Sequence, residues 1–169
     1  MSTVRYDLGP MRERQNLQMQ LDNGRTMPGS RASVQSFRNL GSSSIPNPMA
    51  TILRQQDSLR LTSHQADSIA AMNRRYTYRT DSIWAPVARY FAELPARFDE
   101  ALVYDRYLEA RRAQIDMLMR LVPAIRSLLT PEQRRRLPAQ VVNVLDPRYL
   151  ESVRNGTGTY VSGSRGGGR

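Results

Sequence analysis

Leu61-Thr62-Ser63-His64-Gln65 and Leu129-Thr130-Pro131-Glu132-Gln133 are two copies of one pattern, Leu-Thr-x-x-Gln, 68 residues apart. Each copy has the chemistry of a helix start. A threonine at the N-cap offers its hydroxyl to the N–H three residues on. A glutamine at that third position returns its side-chain oxygen to the threonine N–H. Pro131 strengthens the second copy, because proline at the first helical position gives up an N–H that has no partner there anyway. The pair predicts helices opening at Ser63 and Pro131.

The pattern between the copies is helical too. Ile69, Met72, Tyr76, Ile83, Trp84, Val87, Phe91 and Leu94 recur at gaps that fall on one helix face. Pro86 should kink this helix, and Pro95 should end it or open the next. A second stripe follows: Phe98, Leu102, Asp105, Leu108, Ile115, Leu118, Val122, Ile125 and Leu129, with Pro123 as its kink. Asp105 lies on that stripe and is expected to meet an arginine of a neighbouring helix. The second copy then opens a short helix over Pro131–Leu137, stopped by Pro138. Upstream, Asn47-Pro48 reads as an N-cap followed by a first-position proline, with Met49, Ile52, Leu53, Gln56 and Leu59 on one face. The expected fold class is all-α. Its core, residues 49–138, is an antiparallel long-helix hairpin with short flanking helices, four helices in total.

Residues 1–48 and 139–169 read as extended arms. Tyr6 sits in an alternating Val4, Tyr6, Leu8 stretch, and Leu17, Met19 and Leu21 alternate with glutamines; period-two alternation predicts short strands. Residues 25–48 are rich in Ser, Pro and Gly and cannot bury enough apolar surface to offset ordering entropy. The C-terminal arm ends in Gly163-Ser-Arg-Gly-Gly-Gly-Arg169 and reads as an extended Gly/Ser-rich tail. Arms of this composition order against partners, so the two alternating stretches are expected to pair with another chain or lie flat on it.

Composition excludes much chemistry. The 169 residues carry 25 basic and 15 acidic side chains, a net charge of +10, and every basic residue is arginine. Cysteine is absent and His64 is the one histidine, so thiolate sites and multi-histidine metal sites cannot be built. Mean hydropathy is −0.56 and no long apolar run stands out, which argues against a membrane-spanning helix. No charged-then-apolar leader opens the chain. The basic excess is spread as +3, +5 and +2 over arm, core and tail. His64 reads as an exposed first-turn residue. Asp99, Glu100, Asp105 and Glu109 alternate with Arg97, Arg106, Arg111 and Arg112 at the spacing of surface ion pairs, which argues against acid–base catalysis.

The two Leu-Thr-x-x-Gln copies and the long amphipathic helices between them resemble the LTXXQ family of small bacterial periplasmic proteins, the Spy/CpxP-like envelope-stress chaperones and sensors. The likeness covers about residues 50–138 and leaves both arms unmatched. It implies a four-helix fold whose long helices form a curved, often dimeric cradle, with Leu61, Thr62, Gln65, Leu129, Thr130 and Gln133 as capping motifs. Zinc-binding relatives use histidine and cysteine clusters, which are missing here. In layout alone, the chain is also similar to tails that follow the barrels of some TonB-dependent outer-membrane receptors.

The expected function is non-catalytic: an extrinsic structural or assembly subunit on the periplasmic side of a membrane, with no cofactor and no metal. Its partners would be other subunits of a membrane complex, respiratory or photosynthetic, with anionic lipid head groups as a further surface. Candidate partner-binding residues are Tyr6, Leu17, Met19 and Leu21 in the arm, and Arg74, Arg75, Arg79, Arg111, Arg112, Arg134, Arg135 and Arg136 in the core. Tyrosines near these arginines (Tyr76, Tyr78, Tyr90, Tyr104, Tyr107) add contact surface. A free LTXXQ-type chaperone or stress sensor, for which the family likeness implies a homodimer, is the alternative. A nucleic-acid-binding helical protein is the least favoured reading.

Overall fold

The computed structural model describes Gln15, Leu17, Gln18, Met19, Leu21 and residues 45–155. Six helices are bounded within it: α1 (Pro48–Arg54), α2 (Ser63–Ala92), α3 (Glu100–Leu128), α4 (Pro131–Arg135), α5 (Ala139–Val144) and α6 (Pro147–Arg154). No strand occurs among the described residues, so the chain is all-α there.

Local chemistry sets the helix starts. Asn47 caps α1, its side chain accepting from the Met49 and Ala50 N–H groups at 3.0 and 3.2 Å. Asp99 caps α3 by accepting from Ala101 and Leu102. Asp146 caps α6 by accepting from Arg148, with Pro147 at the first helical position. Helix α1 ends at Arg54, earlier than its apolar spacing predicts, and Gln56 is exposed. A tight turn follows. Leu61 N–H donates to Gln56 O and Arg60 N–H to Asp57 O, and Arg60 takes a left-handed φ of 52°. This crossed pair of bonds is the motif that usually places glycine at the left-handed position. An arginine there bears a steric cost of about 1 kcal/mol.

The long helices α2 and α3 pack on each other, with α1 on α2 and α6 on α3. Gln65 meets Leu128, Gln114 meets Tyr76 and Trp84, and Arg106 lies over the Tyr90 ring. Residue numbers thus fall along one helix as they rise along the other. Both helices run through their prolines. Pro86 and Pro123 face solvent, where water can satisfy the carbonyl that each proline leaves without a donor.

Two apolar clusters form the core. The larger joins Met49, Ile52, Ile69, Met72, Ile115, Leu118, Val122 and Ile125 with Val141, Val144 and Leu150 of α5 and α6. The smaller gathers Trp84, Ala88, Phe91, Val103, Tyr107 and Ala110 with Leu17 and Leu21. Each fully buried aliphatic side chain contributes roughly 1.5–3 kcal/mol.

Four expectations need correction. Gln15, Leu17, Gln18, Met19 and Leu21 are helical, not extended. Leu17 and Leu21 are four apart, so a helix puts both on one face, and both are buried against the chain's own Trp84 cluster. They are therefore core residues and not partner contacts; Met19 points away and is exposed. Residues 139–154 are also not an extended tail. Pro138 and Pro147 act as helix starters, and α5 and α6 complete the larger cluster. In the first half of α3 the buried face is Val103, Tyr107 and Ala110, while Leu102 and Asp105 are exposed. The buried face there lies one to two residues C-terminal to the expected stripe. Lastly, Arg111 is buried, as described below. Tyr6, residues 22–44 and residues 156–169 lie outside the described residues.

Candidate functional site

The two Leu-Thr-x-x-Gln motifs converge. Thr62 Oγ1 accepts from Gln65 N–H at 3.1 Å, and Thr62 N–H donates to Gln65 Oε1 at 2.9 Å. Thr130 and Gln133 repeat this arrangement at the same two distances. The glutamine side chains then reach across to each other. Gln65 Nε2 donates to Gln133 Oε1 at 2.9 Å, and Gln133 Nε2 donates to Gln65 Oε1 at 3.1 Å. Each amide also donates to backbone just ahead of the opposite motif: Gln65 to Leu128 O at 2.6 Å, Gln133 to Leu59 O at 3.2 Å and Arg60 O at 3.4 Å.

A primary amide has two donors and an oxygen with two lone pairs. Here each oxygen takes its own threonine N–H and the other glutamine's N–H. Each nitrogen serves the other glutamine and backbone carbonyls, one for Gln65 and a shared pair for Gln133. Both side chains are 8% exposed, so this full satisfaction is what makes their burial affordable. The left-handed Arg60 turns the Leu59 and Arg60 carbonyls toward Gln133, which gives the backbone strain there a structural use. Leu129 is buried and Leu61 half-buried beside this joint. The motifs were evident in the sequence; their meeting was not.

A second buried polar cluster joins the long helices. Trp84 Nε1–H donates to Gln114 Oε1 at 2.8 Å, and Gln114 Nε2 donates to Tyr76 Oη at 3.0 Å. Gln114 was not singled out from the sequence. The signal for it is spacing: 107, 111, 114 and 118 share one helix face, so Arg111 and Gln114 had to lie on the buried side. Burial pushes the Tyr76 phenol above the ordinary tyrosine value of 10.0, with the Gln114 amide and the Thr80 hydroxyl pulling the other way. The unfolded chain releases this proton near pH 10, where the folded chain still holds it. The stabilisation is therefore full below that pH and is lost as pH rises through and above it. Urea melts should show a midpoint that falls above about pH 10. The fall should be shallower in Tyr76→Phe; an identical alkaline profile in the variant would remove Tyr76 from the explanation.

The arginines divide into two groups. Arg111 is 4% exposed, and its Nη1 donates to Val153 O at 3.2 Å, near the C-terminal end of α6. Cations suit that end of a helix. Arg126 Nη1 reaches Leu145 O at 3.4 Å, and Arg154 pairs with Asp116 at 2.6 Å. These three ties fasten α5 and α6 to α3. Arg111 is thus an internal strut and not a partner contact. In the other group, Arg74, Arg75, Arg79, Arg112 and Arg135 are exposed and Arg134 is half-buried. Arg136 is exposed and pairs with Glu132 at 3.0 Å, an i,i+4 surface pair of small energetic weight.

Of the tyrosines near arginines, Tyr76 and Tyr107 are buried, Tyr90 and Tyr104 half-buried, and Tyr78 exposed. Tyr107 packs on Trp84 with centroids 5.6 Å apart. Arg106 sits 5.0 Å over the Tyr90 ring. His64 is exposed in the first turn of α2. Asp99 serves as a helix cap, and Glu100, Asp105 and Glu109 are exposed. Among the described residues no three metal-binding side chains come together, and no helix is long and apolar enough to cross a membrane. No protein-family profile, curated protein or solved structure matches the chain.

Proposed function

We propose that the chain is a non-catalytic helical binding module of LTXXQ type, with a four-helix core built on an α2–α3 hairpin, that acts on the periplasmic side of a membrane. The observation that carries this reading is the reciprocal amide pair between Gln65 and Gln133. It gives both glutamines of the repeated motif one shared structural reason, beyond two independent capping boxes. The polar groups buried deepest are used in packing: Gln65 and Gln133 join the motifs, Gln114 links Tyr76 to Trp84, and Arg111 holds α6. What remains for partners is the exposed arginine-bearing surface.

The extrinsic-subunit reading relied on arms that hold neighbours. Leu17, Leu21 and residues 139–154 pack on the chain's own core, which shifts the weight toward a free, self-contained module that holds other polypeptides. The test is light scattering of a chemically unfolded client protein with and without the full chain, in the absence of nucleotide. Aggregation should fall several-fold at equimolar chain. No effect, together with stoichiometric co-purification in a membrane complex, would contradict this reading and support the subunit instead.

A further inference from the structure

Arg74, Arg75, Tyr78 and Arg79 form an exposed ridge on α2. Tyr78 is 76% exposed, more than any other exposed large apolar side chain among the described residues. Arg74 and Tyr78 are four residues apart, as are Arg75 and Arg79, so the ridge holds two rows with a rise of about 6 Å along each. No carboxylate lies within ion-pair distance of the three arginines among the described residues. Asp67 stands seven residues before Arg74, about 10 Å along the axis, and Asp81, three residues past Tyr78 at the C-terminal end of the ridge, has an interaction of its own. Arg75 and Arg79 are like-charged neighbours, an arrangement that disfavours a helix unless an anion relieves it. Arg106, Arg111, Arg126, Arg136 and Arg154 differ, because each has a partner within the chain.

We infer that this ridge binds an extended, acidic segment of another protein, one carrying carboxylates at alternate positions. The inference rests on the binding-module reading and names the chemistry of its partner. In an extended segment, side chains on one side repeat every ~6.6 Å, close to the ~6 Å step from Arg75 to Arg79. Guanidinium forks bind carboxylates bidentately. Tyr78 supplies a rigid ring for an apolar side chain of the same segment, and Tyr with Arg is a pairing common in binding hot spots. A lipid surface would favour basic side chains spread over a plane, whereas this charge is confined to fewer than two turns of one helix.

The probe is a fluorescein-labelled dodecapeptide of alternating Glu and Ser with one central Glu replaced by Leu, titrated by anisotropy against the full chain at low salt. Arg75→Glu/Arg79→Glu should bind it at least ~10-fold more weakly, and Tyr78→Ala ~3-fold more weakly. An isomeric peptide with its glutamates in one block should bind less tightly than the alternating one. Arg75→Gln/Arg79→Gln provides a milder change, and an unchanged thermal melt confirms that each variant is folded. Equal affinity for wild type and charge-reversed chain overturns the inference. So does a charge reversal that releases the chain from phosphatidylserine vesicles or single-stranded DNA while leaving peptide binding intact. If the peptide fails to bind while client aggregation is still suppressed, the acidic segment is wrong and the binding module stands. If both fail, both are wrong.

Discussion

Trp84→Ala is expected to cost about 4 kcal/mol of stability, in the middle of the range for removing a large buried aromatic side chain. Trp84 is fully buried, among Ala88, Phe91, Val103 and Tyr107. Its neighbours Ala88 and Ala110 are small and cannot swing in to fill the cavity. The substitution also removes the donor at 2.8 Å from Gln114 Oε1, and Gln114 is only 1% exposed, so its oxygen would be buried without that bond. The loss corresponds to roughly 8–16 °C in melting temperature for a chain of this size. Trp84→Phe separates the two contributions. It keeps much of the apolar area and forfeits the hydrogen bond, so it should cost about 1–2 kcal/mol. Urea denaturation with constant slope would measure both; equal losses for the two variants would show that packing volume matters little at this site.

Gln133→Ala carries the second large effect, about 3 kcal/mol, because several buried partners lose their bond at once. Thr130 N–H loses its acceptor, Leu59 O loses a donor, and both polar atoms of the Gln65 amide lose one contact each. Thr130→Ala removes only the hydroxyl cap and should cost about 1 kcal/mol. A Gln133→Ala loss no larger than that of Thr130→Ala would mean that the amide acts merely as a local cap.

Three of the helix starts, those of α1, α2 and α4, were legible in the sequence because each depends on a few neighbouring residues. Asn47-Pro48, Thr62 with Gln65, and Thr130 with Gln133 all cap helices as their local chemistry dictates. The apolar stripe of α2 was legible for the same reason. The misreadings share a different cause. Leu17 and Leu21 satisfy a strand's period of two and a helix's period of four alike, and the Trp84 cluster decides between them. Pro138 and Pro147 can end one helix or begin another; here α5 and α6 follow them, and the buried residues that reward those helices lie on α1 and α3. Arg111 looked like half of a basic surface pair, yet its acceptor is Val153 O, 42 residues away. In the site, the two motifs were visible as a repeat, but their contact spans 68 residues and depends on the packing of α2 on α3.

The central claim is that the two motifs work as one unit through their glutamines. A double-mutant cycle on Gln65→Ala and Gln133→Ala, read by urea denaturation of the full chain, tests it most directly. Because the two amides exchange donor and acceptor, the double variant should lose less than the sum of the single losses, with a coupling of at least ~1 kcal/mol. Losses that add to within ~0.3 kcal/mol would contradict it, leaving two separate capping boxes that happen to lie side by side.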